Sequence, residues 1–279
     1  MPYSYRTLIR ELTLAGIEEP AAEAALLLEH FADVGMVTLL TERDTVYSGD
    51  ALENAVKRRL ERYPLQYILG EWSFFGCRMT VSEACLIPRP DTEILVEEAI
   101  RTLPAGARIA DLCTGSGCIA VAVLANRPDV QADALELYPD TLQIAAQNAR
   151  DNGVEDRFTP LQADLLNGGA SVLFSRAPYD AILSNPPYIP TSELAALSPE
   201  VHSEPRAALD GGEDGLVFYR AILRDYVPLL KPGGRLLLEI GYDQAQALRE
   251  LCAARLPRGD VRVLQDLGGR DRVVAVTLP

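Results

Sequence analysis

The chain's 279 residues, 48% of them hydrophobic, suffice to bury a large core and suggest one large domain with a small companion. A formal net charge of −14, from 26 basic and 40 acidic side chains spread along the whole length, argues against direct nucleic-acid binding, which rests on phosphate neutralisation by Lys and Arg. Five cysteines without Cys-x-x-Cys spacing and only two histidines, His30 and His202, argue against a metal site and for reduced thiols.

The opening residues hold neither an apolar run of about 18 residues nor a basic, acid-poor presequence, so no membrane association is expected and the expected location is the cytoplasm. Residues 4–70 then read as short helices. Leu8, Ile9 and Leu12 recur at helical spacing, Pro20 opens an alanine- and leucine-rich segment ending near Asp33, and a third helix starts after Ser48-Gly49-Asp50. Ser48 and Asp50 are good cap residues, and that helix must end before Pro64. Arg58, Arg59 and Arg62, interrupted by Glu61, read as a solvated helix face rather than a basic patch. From Trp72 to Leu86 the pattern is aromatic and β-prone, with Gly76 as its turn, and reads as a hairpin whose aromatics belong to the core. The expected organisation is a helical bundle over residues 1–71, a β-hairpin linker over 72–88 and an α/β domain over 89–279.

Strand and helix patterns alternate through that last part. Strands are predicted at residues 108–112, 131–137, 157–162, 180–184, 235–240, 261–264 and 273–278, with a helix over 91–102 ahead of the first. The rhythm predicts a doubly wound sheet that finishes with an antiparallel strand, because the last two candidates have only a short connection.

The first of these strands leads into Asp111-Leu112-Cys113-Thr114-Gly115-Ser116-Gly117, a glycine turn that lets a ligand approach the backbone closely. Taken alone, such a turn is a weak signal. Glu136 ends the next strand about 20 residues on, where an acidic side chain can hold both hydroxyls of an adenosine ribose. Asp164 follows the third strand and Asn185 the fourth. Ligands of open α/β sheets bind outside the carboxyl ends of the strands, so these positions converge on one crevice. A nicotinamide cofactor would need a loop that also serves a pyrophosphate, usually with a third glycine where the helix begins. That spacing is absent, and S-adenosylmethionine, which carries no phosphate, fits better.

Ser184-Asn185-Pro186-Pro187-Tyr188 follows the apolar run 179–183. A proline has no N–H and biases its predecessor toward extended backbone, so two in succession hold the chain open with carbonyls left over as acceptors. Asn185 adds a side-chain carbonyl and Tyr188 a flat aromatic face. Such a loop suits a planar, conjugated NH2 group, which is either a nucleobase amine or a carboxamide.

Several motifs resemble one family, the release factor glutamine methyltransferases, also called the HemK family. They are Pro64-Leu65-Gln66-Tyr67-Ile68-Leu69-Gly70, Leu86-Ile87-Pro88-Arg89-Pro90-Asp91-Thr92-Glu93, the 111–120 loop, Asn185-Pro186-Pro187-Tyr188-Ile189, Glu204-Pro205 with Ala208-Leu209, and Leu230-Lys231-Pro232-Gly233-Gly234. The run through Asp91-Thr92-Glu93 discriminates best, since the Asn-Pro-Pro-Tyr tetrapeptide is shared with DNA amino methyltransferases. The resemblance implies a Rossmann-like class I methyltransferase sheet carrying a small N-terminal helical bundle. It implies S-adenosyl-L-methionine as cofactor, S-adenosyl-L-homocysteine as product, and peptide-chain release factors docked on the helical bundle as substrates. Cofactor contacts are expected at Cys113, Thr114, Gly115, Ser116, Gly117, Glu136, Asp164, Leu165 and Asn185. Asn185, Pro186, Pro187 and Tyr188 are expected to hold the substrate amide, with Asn185, Pro186 and Tyr188 as its catalytic part. Cys113 stands where many methyltransferases have a glycine, and Leu165 where some members have an aromatic. Arg89 is a further candidate, either for a ligand or for pairing with Asp91 or Glu93.

An amide nitrogen is a poor nucleophile because its lone pair is delocalised, and its protons are too weakly acidic for an ordinary base to remove first. Positioning must then do most of the work. With the Asn185 carbonyl and the Pro186 backbone carbonyl each accepting one amide hydrogen, the nitrogen is held in line with the methyl group and no dedicated base is needed. Two other readings compete: an adenine or cytosine amino methyltransferase, for which a basic target-recognition domain is missing, and a non-catalytic cofactor-binding scaffold.

Overall fold

The computed structural model describes residues 2–279, which divide into two compact units. The smaller holds the residues up to Glu71 together with Ser198–Ser203. Its elements are β1 (Tyr3–Ser4), α1 (Tyr5–Leu14), α2 (Pro20–Ala32), α3 (Met36–Thr41), β2 (Val46–Tyr47), α4 (Asp50–Leu60) and α5 (Leu65–Leu69). Ser4 caps α1 reciprocally, its Oγ accepting from Thr7 N at 3.2 Å while Thr7 Oγ1 accepts from Ser4 N at 2.8 Å. Leu8, Leu12, Leu27, Leu28, Leu52 and Val56 form a buried core between α1, α2 and α4.

Two expectations for this unit are corrected. Helix α4 has Gly49 at its N-cap and no side-chain cap, so neither Ser48 nor Asp50 serves there. Arg59 is only 4% exposed and does not belong to a solvated face. Its guanidinium bonds Glu23 at 2.5 and 3.0 Å and Glu200 at 3.1 Å, and Arg62 bonds Glu200 at 2.6 and 3.0 Å. Carboxylates from two other segments make it possible to bury an arginine that the local sequence reads as solvated.

The larger unit begins at Trp72, within the hairpin of β3 (Glu71–Phe74) and β4 (Cys77–Thr80), whose turn residues Phe75 and Gly76 both have positive φ. There follow α6 (Glu93–Thr102), β5 (Arg108–Leu112), α7 (Cys118–Asn126), β6 (Gln131–Glu136), α8 (Pro139–Asp151), β7 (Phe158–Gln162), α9 (Ala170–Phe174) and β8 (Tyr179–Ser184). The chain closes with α10 (Val217–Ala221), β9 (Leu230–Glu239), α11 (Ala245–Arg255), β10 (Asp260–Gln265) and β11 (Asp271–Thr277).

The seven strands order as β10-β11-β9-β8-β5-β6-β7, with β5 to β9 mutually parallel and β11 antiparallel to both β9 and β10. This is the α/β sheet expected from the alternation. Its strands are apolar on both faces where helices cover them, as in Ala181–Leu183 and Val273–Ala275. One strand starts early: β9 opens at Leu230, not Arg235, because the chain bulges between the pairs Tyr179↔Leu230 and Ala181↔Arg235. Lys231-Pro232-Gly233-Gly234, left outside the predicted strand, therefore lies within it in the fold. The strand order reverses between β5 and β8, and at that switch point a crevice opens beyond the strand ends.

Candidate active site

At the end of β5, Cys113, Gly115 and Gly117 have φ of 57°, 57° and 81°, so the chain turns sharply before entering α7. Thr114 N bonds Leu135 O at 3.0 Å, which moors the turn to the neighbouring β6. Asp111 is fully buried beneath it, its Oδ2 accepting from Thr114 Oγ1 at 2.6 Å and Ala120 N at 3.3 Å. Burial pushes this carboxyl up to about 7. A Cβ on Gly117 would stand 3.0 Å from Ala145 Cβ, so the glycine is what allows α7 to start against α8. Asn148 of α8, also fully buried, donates to Ser116 O at 2.8 Å and exchanges two bonds with Thr80, tying the turn to hairpin strand β4.

Glu136 ends β6 with its carboxylate gathered by backbone donors. Gly115 N reaches one oxygen at 3.1 Å, and Leu137 N and Tyr138 N reach the other at 2.8 and 3.1 Å. Asp164, two residues beyond β7, turns its carboxylate to its own loop, accepting from Leu166 N at 2.8 Å and Asn167 Nδ2 at 2.8 Å. These bonds, that of the Asn167 side chain foremost, hold the Asp164 carboxyl below its ordinary range. Leu165 is 5% exposed, and its carbonyl accepts from the Tyr226 hydroxyl at 3.1 Å.

Beyond β8, Asn185 donates from Nδ2 to Thr92 Oγ1 at 3.3 Å. The Asn-Pro-Pro-Tyr loop is then pinned at its far end, where Gln244 Nε2 donates to Tyr188 O at 2.9 Å and Gln244 Oε1 accepts from Gly241 N at 2.9 Å. Ile189 exchanges backbone bonds with the 209–211 segment, at 3.0 Å to Leu209 O and 2.8 Å from Gly211 N. Tyr188 packs its ring against the core of this unit, and burial pushes its hydroxyl up to about 12.

These strand ends surround a cavity of about 520 Å³, within the usual range of small-molecule sites. Cys113, Thr114, Gly115, Ser116, Glu136, Asp164, Leu165, Asn185 and Pro187 line it. Gly117, Pro186 and Tyr188 lie outside its lining. Among the described residues, the lining carries the carboxylates Glu136, Asp164 and Asp210 and one cation, Arg89. Arg89 pairs with buried Glu204, whose other oxygen accepts from Ile87 N at 3.0 Å, rather than with Asp91 or Glu93. Asp91 instead meets Arg272 at 3.1 Å, and Glu93 accepts from Phe75 N at 2.8 Å. With its one cation spent on Glu204, the lining suits a cationic, phosphate-free ligand better than a pyrophosphate.

Part of this wall is not legible in the sequence. Ile87, Thr92, Pro205, Asp210 and Phe218 line the cavity as well. Ile87 and Thr92 sit in the 86–93 motif and Pro205 in the Glu204-Pro205 motif, but nothing local says that Glu204 meets Ile87 and Arg89.

Residues 5–70 match the family model of the PrmC N-terminal domain, and residues 90–231 match that of the methyltransferase small domain. The chain is similar to the release factor glutamine methyltransferase of Cereibacter sphaeroides, with 43% identity over 98% of this chain and 97% of that one. It is likewise similar to the release factor glutamine methyltransferase of Moorella thermoacetica, with 40% identity over 95% and 93% of the two chains. Among solved structures, the M. jannaschii tRNA m1G37 methyltransferase is 14% identical over 74% of this chain and 55% of its own, with a TM-score of 0.50, a likeness of fold alone.

Proposed function

Since the chain belongs to the release factor glutamine methyltransferases, we propose that it methylates the side-chain amide nitrogen of the glutamine in the Gly-Gly-Gln motif of peptide-chain release factors, in the cytoplasm. The observation that carries this reading is that Asn185 shares one cavity with Glu136 at the switch point of the sheet. S-adenosyl-L-methionine, when bound, supplies a methyl group on a sulfonium, electrophilic enough to be taken by a weak nucleophile.

Glu136 is the residue to hold the ribose hydroxyls. Cys113, Thr114, Gly115 and Ser116 offer a close-approaching backbone to the rest of the cofactor, and Leu165 an apolar wall for its base. Gly117 acts from outside the lining, by letting α7 begin where it does. The Asn185 Oδ1 and the Pro186 carbonyl each accept one hydrogen of the substrate amide, which fixes the nitrogen in line and encourages its lone pair to localise. Pro187 flanks that amide from the cavity lining, and Tyr188, its ring packed against the core, anchors the loop behind it. After transfer the nitrogen is cationic and strongly acidic, so the same carbonyls or water can take the proton away. Docking of the release factor falls to the N-terminal helical unit.

Intact-mass measurement of a release factor before and after incubation with the enzyme and S-adenosyl-L-methionine tests this, with fragmentation to find the modified residue. One added methyl on the glutamine is expected, and its loss in Asn185→Ala with cofactor binding retained. An unmodified release factor, or label transferred to DNA or RNA instead, overturns the reading.

A further inference from the structure

We infer that Glu204 is a positioning residue that cancels the charge of Arg89 and so lets the cavity accept a sulfonium. The inference rests on the cofactor proposed above. S-adenosyl-L-methionine and S-adenosyl-L-homocysteine share their adenosine, ammonium and carboxylate groups and differ by one methyl and one positive charge, both on sulfur. Groups that grip the shared parts hold both ligands alike. Only charge near the sulfur, or contact with the methyl, tells them apart.

Arg89 sits at the amide end of the cavity. It precedes the turn Pro90–Thr92, its carbonyl accepts from Thr92 N at 3.1 Å, and Thr92 Oγ1 accepts from Asn185 Nδ2 at 3.3 Å. The cation is thus tied through one turn to the residue proposed to hold the substrate amide. A guanidinium stays charged at any working pH, so only a counter-charge can silence it. Other acids of these segments are engaged elsewhere. Asp91 meets Arg272 at 3.1 Å, Glu93 accepts from Phe75 N at 2.8 Å, and Asp210 accepts from Thr191 Oγ1 at 2.6 Å and from Arg206 at 3.1 Å. Glu204 bonds Arg89 through Oε1 and Ile87 N through Oε2, the latter at 3.0 Å. Its side chain is 1% exposed, while that of Arg89 is 36% exposed. The acid is sealed behind the wall and the cation lines the cavity, so Glu204, itself outside the lining, acts on a ligand through Arg89. A pair buried on one side is also screened less by salt than a surface pair.

Calorimetric titration of the whole enzyme with each ligand in turn tests this. Glu204→Gln keeps the shape and an oxygen for Ile87 N, and leaves Arg89 uncompensated. The ratio of the Kd for S-adenosyl-L-methionine to that for S-adenosyl-L-homocysteine should rise about fivefold or more, through weaker binding of the cation. Replacing Arg89 by Gln as well removes both charges, and the ratio should return to within about twofold of wild type. Inorganic pyrophosphate, titrated directly, should bind Glu204→Gln about tenfold or more tightly than it binds either the wild type or the double variant. A purely structural role would weaken both ligands alike and leave the ratio where it was. That result, a ratio that the double variant does not restore, or pyrophosphate binding indifferent to Glu204 would each overturn the inference. Should Glu204→Gln fail to fold, Arg89→Gln decides alone: its unbalanced negative charge should lower the ratio about threefold or more, and an unchanged ratio refutes the inference. If the wild-type enzyme binds neither ligand, the reading of the cofactor fails, while pyrophosphate still reports on the pairing of Arg89 with Glu204.

Discussion

A methyl group on the α-carbon of Gly215 would stand 2.3 Å from the carbonyl oxygen of Tyr188 and 2.7 Å from Gln244 Nε2. The backbone after the Asn-Pro-Pro-Tyr loop thus lies directly against a glycine, itself at φ +71°, and against the glutamine that pins it. Gly215→Ala forces both overlap and backbone strain, and a cost above about 2 kcal/mol is expected. A thermal or urea melt measures that cost. The rate of methyl transfer should fall with it, because the displaced atoms belong to the proposed amide-binding loop. An unaltered midpoint would show that this loop yields more freely than its packing implies.

Glu136 accepts three backbone N–H groups, from Gly115, Leu137 and Tyr138, and in the proposed complex also takes the ribose. Glu136→Gln weakens every one of these charge-assisted bonds and turns a donor toward one of them. Calorimetric titration with S-adenosyl-L-methionine should show affinity reduced about 10- to 100-fold, from about 1.5–3 kcal/mol of lost bonding. The KM for release factor should hardly change. Equal losses for both ligands would locate Glu136 in general stability instead.

Cys113 occupies the left-handed region at φ 57°, where a side chain is disfavoured. Alanine and glycine both remove its sulfur, so comparing them isolates the backbone. Cys113→Gly should be more stable than Cys113→Ala by about 1 kcal/mol, the reverse of their order in a helix. Equal melting temperatures would mean that the turn relaxes out of this conformation.

The buried carboxyl of Asp111 has a folded-state value raised from 3.8 to about 7 by burial, against the pull of Thr114 and Ala120. Between those values the folded protein keeps a proton that the unfolded chain has lost. Stability from this group is thus full below about 3.8 and is lost as pH rises through about 7. Asp111→Asn should flatten the decline in melting temperature between pH 4 and about 8 by a share worth a few kcal/mol. Glu239, buried and raised to about 7 in the same way, keeps its own share of the slope. Parallel curves for wild type and variant would refute the assignment.

Helix α3 exposes Met36, Val37 and Leu40, at 47%, 77% and 56%, an apolar surface on the unit proposed to dock the release factor. Replacing Met36 and Val37 by Glu should raise the KM for a whole release factor about tenfold. Cofactor affinity should be untouched. Steady-state kinetics with the two substrates varied separately would decide, and an unchanged KM would move the docking surface elsewhere.

Much of the site was legible because its signals are local. A glycine turn after an apolar strand, an acid at the next strand end and two prolines after another are patterns within a few residues each, and the strand ends gather them at one switch point. What stayed hidden spans long separations. Thr92 reads as a helix-start residue until Asn185 is beside it, Arg89 reads as a partner of Asp91 or Glu93 until Glu204 arrives, and Arg59 reads as solvated until Glu23 and Glu200 enclose it. Asp164, conversely, looks free in the sequence but spends its carboxylate on the following turn.

The sequence by itself determined the sheet class, the glycine turn and the chemistry of the loop at Asn185, because periodicity, missing N–H groups and spare carbonyls belong to neighbouring residues. Only the tertiary structure decided which hydroxyl Asn185 meets, which cation is already paired and which glycines the loop packs against. Those outcomes depend on the direction of single hydrogen bonds and on contacts of a few ångströms between segments far apart in the chain, which no local pattern encodes.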